Sequence, residues 1–476
     1  MRRFFYVFKR QSTVMNNHRK VLVFILSTTF VYLFLSLFCS SVALYFPSFK
    51  NVSLFADVVI DKGALNTISN NKPVTISSTA EAGRCYENYL KKGTIISFNA
   101  DTLQSALENT NKKLLQLAHG ENVKVRIAWL GDSQIEGDLI TKDVRALLQN
   151  YFNKKNGVGF VPLTSVCGDF RQTAKVSIDG ALEADNFKQM NSNSKLFLSG
   201  YSYFGSNFEV QFSDKVAKSA EQISQKWLLF GRGDSITIIR NGDTTKLAAR
   251  QSFNKILLSE SASSWAKLRI ESNKTPIYGI SCEPKYGIVV DNFSFRGVVG
   301  ENLNKVSSAL LQEINAKQKY DLVVFQYGVN LLFKPYETNF DYYERMIGPA
   351  FRKLKQHFKD SDFLLLSCSD RAFKYDGNWQ TASGIDELIK LQSKIAFKNK
   401  MAFYNLYESI GGKGTIVKWA DSTYQMANKD YVHFNSRGAR KVGNLLFNAL
   451  INDYKKFEKQ APKVIAKNTI KIAAKV

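Results

Sequence analysis

The sequence predicts an α/β protein: a parallel sheet covered by helices on both faces, interrupted by an antiparallel β-sandwich and preceded by one N-terminal membrane-spanning helix. Three observations carry this. Apolar strands alternate with amphipathic helices around residues 123–152 and again over 322–451, short period-two strands fill 164–290, and residues 21–46 hold no charge. With 476 residues, 45% hydrophobic and 13% aromatic, the chain has material for large buried cores and lies outside the disordered class.

Residues 1–20 carry Arg2, Arg3, Lys9, Arg10, Arg19 and Lys20 without an acidic residue. The positive-inside bias keeps this basic arm in the cytoplasm. Residues 21–46, rich in Phe, Leu and Val, cross a bilayer core of about 30 Å at ~1.5 Å per helical residue. A cleaved signal peptide ending at Ser41-Val42-Ala43 is the competing reading, and the length of the apolar run weighs against it. Lipidation at Cys39 is disfavoured by the bulky Phe38 before it. The chain after residue 46 is therefore expected on the extracytoplasmic, periplasmic side, single-pass and membrane-anchored.

Residues 47–95, with clusters such as Ile68-Ser69-Asn70-Asn71, read as a stalk. The core follows in two parts, 96–163 and 291–456. In the first, Leu103, Leu107, Leu114, Leu115 and Leu117 mark a helix over 101–119, a buried-type strand over 123–130 stops at Gly131, and Leu139, Val144, Leu147, Leu148 and Phe152 mark the next helix. The second part reads as strands 288–295, 322–327, 363–366 and 402–406 and helices 342–358, 385–397 and 436–451, with Ser436 as the cap of the last. Between the parts, 164–290 alternates in short runs (175–178, 195–198, 208–212, 235–239, 267–270) broken by Gly, Asn and Ser, the pattern of an antiparallel sandwich. Residues 457–476 form a basic tail that either lies on anionic lipid or is solvated.

The formal net charge of +24 reads chiefly as a lysine-rich composition, concentrated in the arm and the tail. No nucleic-acid motif accompanies it, and the inferred compartment holds no such target. Five cysteines include no CxxC pair, so neither a metal site nor a thioredoxin-like motif is implied, and no cofactor is called for. Pairing of Cys167 with Cys282 across the insert stays open.

The chemistry sits in three short words. Gly131-Asp132-Ser133 closes a strand and opens a helix, which puts the Ser133 hydroxyl at the carboxyl edge of the sheet, where ligands bind in such folds. A second copy, Gly233-Asp234-Ser235, leads into a strand of the insert and reads as a hairpin turn. Of four histidines, His18, His119 and His357 read as solvated; His433 follows Asp430 by three residues, a spacing that sets a carboxylate against the far imidazole nitrogen. Ser133 as nucleophile, His433 as base and Asp430 as its orienter need donors for an oxyanion. Asn330, after Gly328-Val329, offers its amide; Gly297 and Gly300 offer backbone N–H groups, with Gly300 preferred and Asp132 in support. Turn geometry and loop capping explain these three donors equally well.

In this order, Gly131-Asp132-Ser133, Gly300, Gly328-Val329-Asn330 and Asp430-Tyr431-Val432-His433 resemble the four blocks of the SGNH (GDSL-type) hydrolases over about 123–455, the insert excepted. The resemblance implies a flavodoxin-like α/β/α sandwich and ester hydrolysis or acetyl transfer, with the Ser133 N–H, Gly300 and Asn330 as the oxyanion hole. Leu331 stands where the family often carries Asp. Gly131-Asp132-Ser133-Gln134-Ile135-Glu136-Gly137-Asp138, Gly157-Val158-Gly159-Phe160-Val161-Pro162 and Arg296-Gly297-Val298-Val299-Gly300 are further similar to peptidoglycan O-acetylesterases, whose insert resembles a carbohydrate-binding module. That likeness implies acetylated polysaccharide as substrate. Tyr201, Tyr203, Phe204 and Trp227 are then candidates for sugar stacking as well as for sandwich packing. The expectation is a serine esterase removing acetyl groups from an envelope or exported glycan. Its alternatives are an O-acetyltransferase fed by a membrane-bound acetyl donor partner, and a non-catalytic glycan-binding envelope protein.

Overall fold

The computed structural model describes residues 22–24, 27–28, 91–97 and 104–473, the last without 153–154, 167, 190–194 and 218–222. The chain forms two compact units, 1–78 and 79–476. In the first, the described residues 22–24 and 27–28 are helical; the rest of the predicted span, the basic arm and the stalk up to residue 90 lie outside the described residues. Among the described residues no helix is long and apolar enough to cross a membrane.

The second unit is built on a six-stranded sheet: β1 (Ile95–Ile96), β2 (Lys124–Gly131), β3 (Gly287–Ser294), β4 (Leu322–Gln326), β5 (Asp362–Leu366) and β6 (Ala402–Tyr404), in the order β1-β6-β5-β4-β2-β3. All pairings are parallel except that of the edge strand β1 with β6. Period-two alternation splits each strand between two cores. On β2, Val125, Ile127 and Trp129 face the core that holds α1 (Glu108–Ala118), α2 (Thr141–Phe152) and α8 (Ser436–Ala473), while Ala128 and Leu130 face that of α3 (Ser308–Lys317), α4 (Asp341–His357) and α5 (Ile385–Lys398). Two short helices, α6 (Leu406–Ile410) and α7 (Thr415–Asp421), fill the turn before α8. The result is the expected three-layer sandwich.

Several elements differ from the sequence reading. α1 starts at Glu108 and not at 101, because the preceding loop is tied down by a buried carboxylate: Asp453 of α8 accepts from Ser105 Oγ (2.7 Å) and from the N–H groups of Ala106 (3.0 Å) and Leu107 (3.2 Å). α8 runs 38 residues through most of the basic tail, and its cap is Asn435, whose Oδ1 accepts from the N–H groups of Arg437 and Gly438, rather than Ser436. Strand β3 pairs with β2 from Gly287 onward, so residues 287–290 belong to the parallel sheet.

The insert is an antiparallel sandwich. One sheet runs Asp243–Ala248, Ser235–Arg240, Trp265–Glu271, Phe208–Asp214, Ala174–Asp179; the other runs Asn254–Ser261, Ser224–Phe230, Asn273–Glu283, Tyr201–Gly205, Glu183–Asn186, with Gly159–Val161 added against Asn273–Glu283. Val210, Phe212, Leu228, Phe230, Ile236 and Ile270 are buried between the sheets. The second sheet also turns Leu229 and Tyr278 into the α3–α5 core of the parallel sheet. Residues 195–198, expected as a strand, form a loop there: Phe197 stacks on Tyr278 at 4.6 Å, and burial of the apolar run replaces strand pairing. Gly233-Asp234-Ser235 joins strands of different sheets and is therefore a crossover, not a hairpin.

Charges lock the insert to the core. Glu283, fully buried, takes Lys124 (2.8 Å) and Arg126 from β2 and Lys255 (2.5 Å) from the insert, while Arg126 also reaches Asp291 of β3 at 3.2 Å. Burial alone would raise the Glu283 carboxyl, yet Arg126, Lys255 and Lys124 hold it well below the usual carboxylate range. On the nucleophile side, Asp138 accepts both arms of Arg145 (2.8 Å each) and the Thr173 hydroxyl (2.6 Å). Removing one partner from such a buried pair costs about 3–5 kcal/mol. Cys282 is a free thiol directed at Asp214 Oδ2 (3.3 Å); Cys167 lies outside the described residues.

Candidate active site

Strand β2 ends at Gly131, and Asp132 caps the turn: its Oδ1 accepts the Gln134 N–H at 3.0 Å, starting a short 3-10 helix, Ser133–Asp138. Ser133 thus stands at the carboxyl edge of the sheet. Its Oγ lies 2.8 Å from His433 Nε2, and His433 Nδ1 lies 2.8 Å from Asp430 Oδ2. Residues 300 positions apart in sequence form one continuous hydrogen-bonded line. The other Asp430 oxygen accepts the N–H groups of Val432 and His433, both at 3.0 Å. Partial burial works against the charge on Asp430, but the bonds from the ring and the two N–H groups prevail and hold the carboxyl at about 2. It is ionised at neutral pH.

The 430–433 turn is held from several sides. Tyr431 has φ +56°, stacks on Trp379 at 4.1 Å, and donates its hydroxyl to Asp421 at 2.9 Å; its carbonyl accepts the Ala372 N–H at 3.0 Å. Trp379 and Ala372 lie on a hairpin (Ala372–Tyr375, Asn378–Thr381) that sequence periodicity does not reveal. Gln134, next to Ser133, donates its amide to the Val432 carbonyl at 2.8 Å and so fixes the serine block against the histidine block. Its adjacency to Ser133 was the only signal in the sequence. Arg371 donates to the Val329 carbonyl at 3.0 Å and places a cation in the field of Asp430.

The third block meets the first through Asn330, whose amide nitrogen lies 3.2 Å from Asp132 Oδ2 and 3.1 Å from the Val298 carbonyl. Both amide hydrogens are engaged, the longer bond being the one to Asp132. Asp132 is 1% exposed, and burial raises its carboxyl to about 7 against the pull of the Gln134 N–H and of His433. An unfolded carboxyl titrates near about 4, so ionisation of this group in the unfolded chain erodes stability progressively as pH rises from there towards 7. We expect Asp132→Asn to gain on the parent by on the order of 2 kcal/mol more at pH 8 than at pH 5, in denaturant melts at both pH values. The same variant should lose kcat, because its amide competes with the Asn330 donor.

Gly300 opens the short helix Glu301–Lys305 with φ +101°, and a Cβ there would stand 2.6 Å from Ile347 Cδ1 and 3.1 Å from the Tyr327 ring. Both the backbone conformation and the space call for glycine. Gly300→Ala is expected to destabilise by about 1–3 kcal/mol and to lower kcat more than KM, read from melts and from steady-state kinetics. Gly297 (φ +70°) sits in the preceding turn, where Arg296 pairs with Glu136 and the Val299 carbonyl accepts the Tyr343 hydroxyl at 3.0 Å. A cavity of about 600 Å³ beside Phe152, Glu260, Pro284 and Tyr286 lies at the opposite edge of the sheet and contains none of these residues.

Among solved structures, a peptidoglycan O-acetylesterase superposes on 76% of this chain and 99% of its own, at 21% identity and a TM-score of 0.62. The chain has the SGNH hydrolase fold. An acetyl xylan esterase (18% identity, 34% of this chain and 81% of that one, TM-score 0.28) and a family two carbohydrate esterase from Cellvibrio japonicus (10% identity, 60% and 99%, TM-score 0.25) overlap too loosely to carry an argument. No protein-family model and no curated protein matches the sequence. Leu331, which follows Asn330, is buried in the α3–α5 core, where an unpaired carboxylate would be costly. Of the insert aromatics proposed for sugar stacking, Tyr203 is fully buried and Tyr201 packs on Phe295 at 5.0 Å, while Phe204 and Trp227 are half-buried.

Proposed function

We propose that the protein is a serine esterase that removes O-acetyl groups from a cell-envelope or exported polysaccharide, held outside the cytoplasm by residues 21–46. The observation that carries the chemistry is the hydrogen-bonded line Ser133, His433, Asp430. The fold shared with a peptidoglycan O-acetylesterase, insert included, supports the choice of substrate.

In this reading His433 Nε2 takes the Ser133 proton as Oγ attacks the acetyl carbonyl carbon. Asp430 stabilises the imidazolium that forms. Backbone N–H groups of Ser133 and Gly300 and the Asn330 amide receive the oxyanion, each worth roughly 2.7–4 kcal/mol in the barrier. Collapse breaks the bond to the sugar oxygen, which takes the proton from His433, and leaves acetyl-Ser133. Water, deprotonated by the same imidazole, then releases acetate. The test is acetate release from O-acetylated peptidoglycan by the purified protein beside Ser133→Ala; release equal in both would end the assignment. The anchor is tested by fractionation, in which the protein should stay with membranes after alkaline carbonate washing and be cleaved by protease added to spheroplasts.

A further inference from the structure

Large aromatic side chains left in water mark contact surfaces when they are held in place. Phe333 is 56% exposed and Tyr336 75% exposed, on the segment that follows Asn330 directly. Tyr336 does not hang free, and the Phe333 ring carries the Lys334 ammonium 5.3 Å from its centre. Tyr336 meets Tyr375 of the hairpin edge to face at 5.2 Å, and the Pro335 carbonyl between them accepts the hydroxyls of Tyr375 and of Ser383 (2.8 Å). The segment also lies so close to Gly384 that a Cβ there would stand 2.0 Å from the Glu337 carbonyl oxygen. The hairpin that braces Tyr336 is the one that carries Trp379 against Tyr431 of the histidine turn. Tyr336 is therefore braced by the same hairpin as the His433 turn, and Phe333 stands three residues after Asn330, while Tyr203 of the insert is shut away from solvent.

We propose that Phe333 and Tyr336 form a stacking platform for a pyranose ring adjoining the acetylated residue, so that glycan is gripped by the catalytic layer beside the triad. The inference rests on the glycan esterase reading. Sugar rings present C–H faces that pack on aromatic rings and hydroxyl edges that stay wet, which suits rings half in water.

The test uses the full-length protein in detergent with two probes, p-nitrophenyl acetate and O-acetylated peptidoglycan. Phe333→Ala and Tyr336→Ala should each raise KM for the polymer about 5- to 10-fold and leave turnover of the small ester unchanged, with Tyr336→Phe restoring polymer KM. Trp265→Ala, which removes a 56% exposed ring of the insert, should leave both unchanged. Polymer KM unmoved in both platform variants, or raised by Trp265→Ala instead, overturns the platform. Loss of both activities in Ser133→Ala keeps that failure distinct from failure of the esterase reading, which would show as turnover indifferent to Ser133. A parent protein that cleaves the small ester through Ser133 but not the polymer sinks the glycan assignment and the platform together.

Discussion

Ser133→Ala is expected to lower kcat on an acetyl ester by about 10⁴-fold or more with the melting temperature unchanged. Among the described residues the hydroxyl's one side-chain partner is His433 Nε2 at 2.8 Å, so its loss removes the attacking atom and little packing. His433→Ala should cost a comparable factor, and the double variant little beyond either single one, because nucleophile and base act as one unit. Acetate release under saturating substrate reads all three. Additive losses would show that the two side chains serve separate steps.

The second large effect belongs to Asp430→Asn, which should reduce kcat by about 10³- to 10⁴-fold while folding normally. The asparagine carbonyl can still accept the N–H groups of Val432 and His433, so the turn survives. Its amide, however, would face His433 Nδ1 and require that nitrogen to be unprotonated. The ring proton then moves to Nε2 and points at Ser133, and a hydrogen-bond donor stands where a base is needed. Matching far-UV spectra and melts beside the kinetics separate this from unfolding. Because the folded Asp430 carboxyl lies at about 2, below its unfolded value, its contribution to stability is present at neutral pH and fades only as pH falls towards that value; with 46% of the side chain exposed it is small. Loss of activity on mild acidification is therefore not assigned to Asp430.

The residues that could be read from sequence were those whose function imposes a local pattern. Strands β2 and β4 announce themselves as apolar runs ending in Gly-Asp-Ser and Gly-Val-Asn, and Asp430 with His433 are close enough in the chain to be seen as a pair. Helix α3 escaped notice because it is ten residues long with only Leu310, Leu311 and Ile314 buried, too short to establish a period. The hairpin with Trp379 and the crossing bond from Gln134 to Val432 depend on residues brought together over some 50 and 300 positions, respectively, and nothing in their own neighbourhoods signals it. Asn330 is legible as a candidate donor from its place after Gly-Val, but its engagement with Asp132 is not, since the partner of an amide is silent in a linear string. The sandwich was legible as a class because alternation is local; Phe197 was misplaced because an apolar run serves a buried loop as well as a strand.

Glu283 has a mechanical consequence. Its carboxylate is shared by cations from both sides of the junction, and the sheet that carries it is a wall of two cores at once, so no plane of easy slip separates the β-rich part from its neighbour. The β-rich part is thereby held against the parallel sheet and does not hinge at this junction. Whatever outline the two parts present together is set in the folded chain and does not wait on a partner.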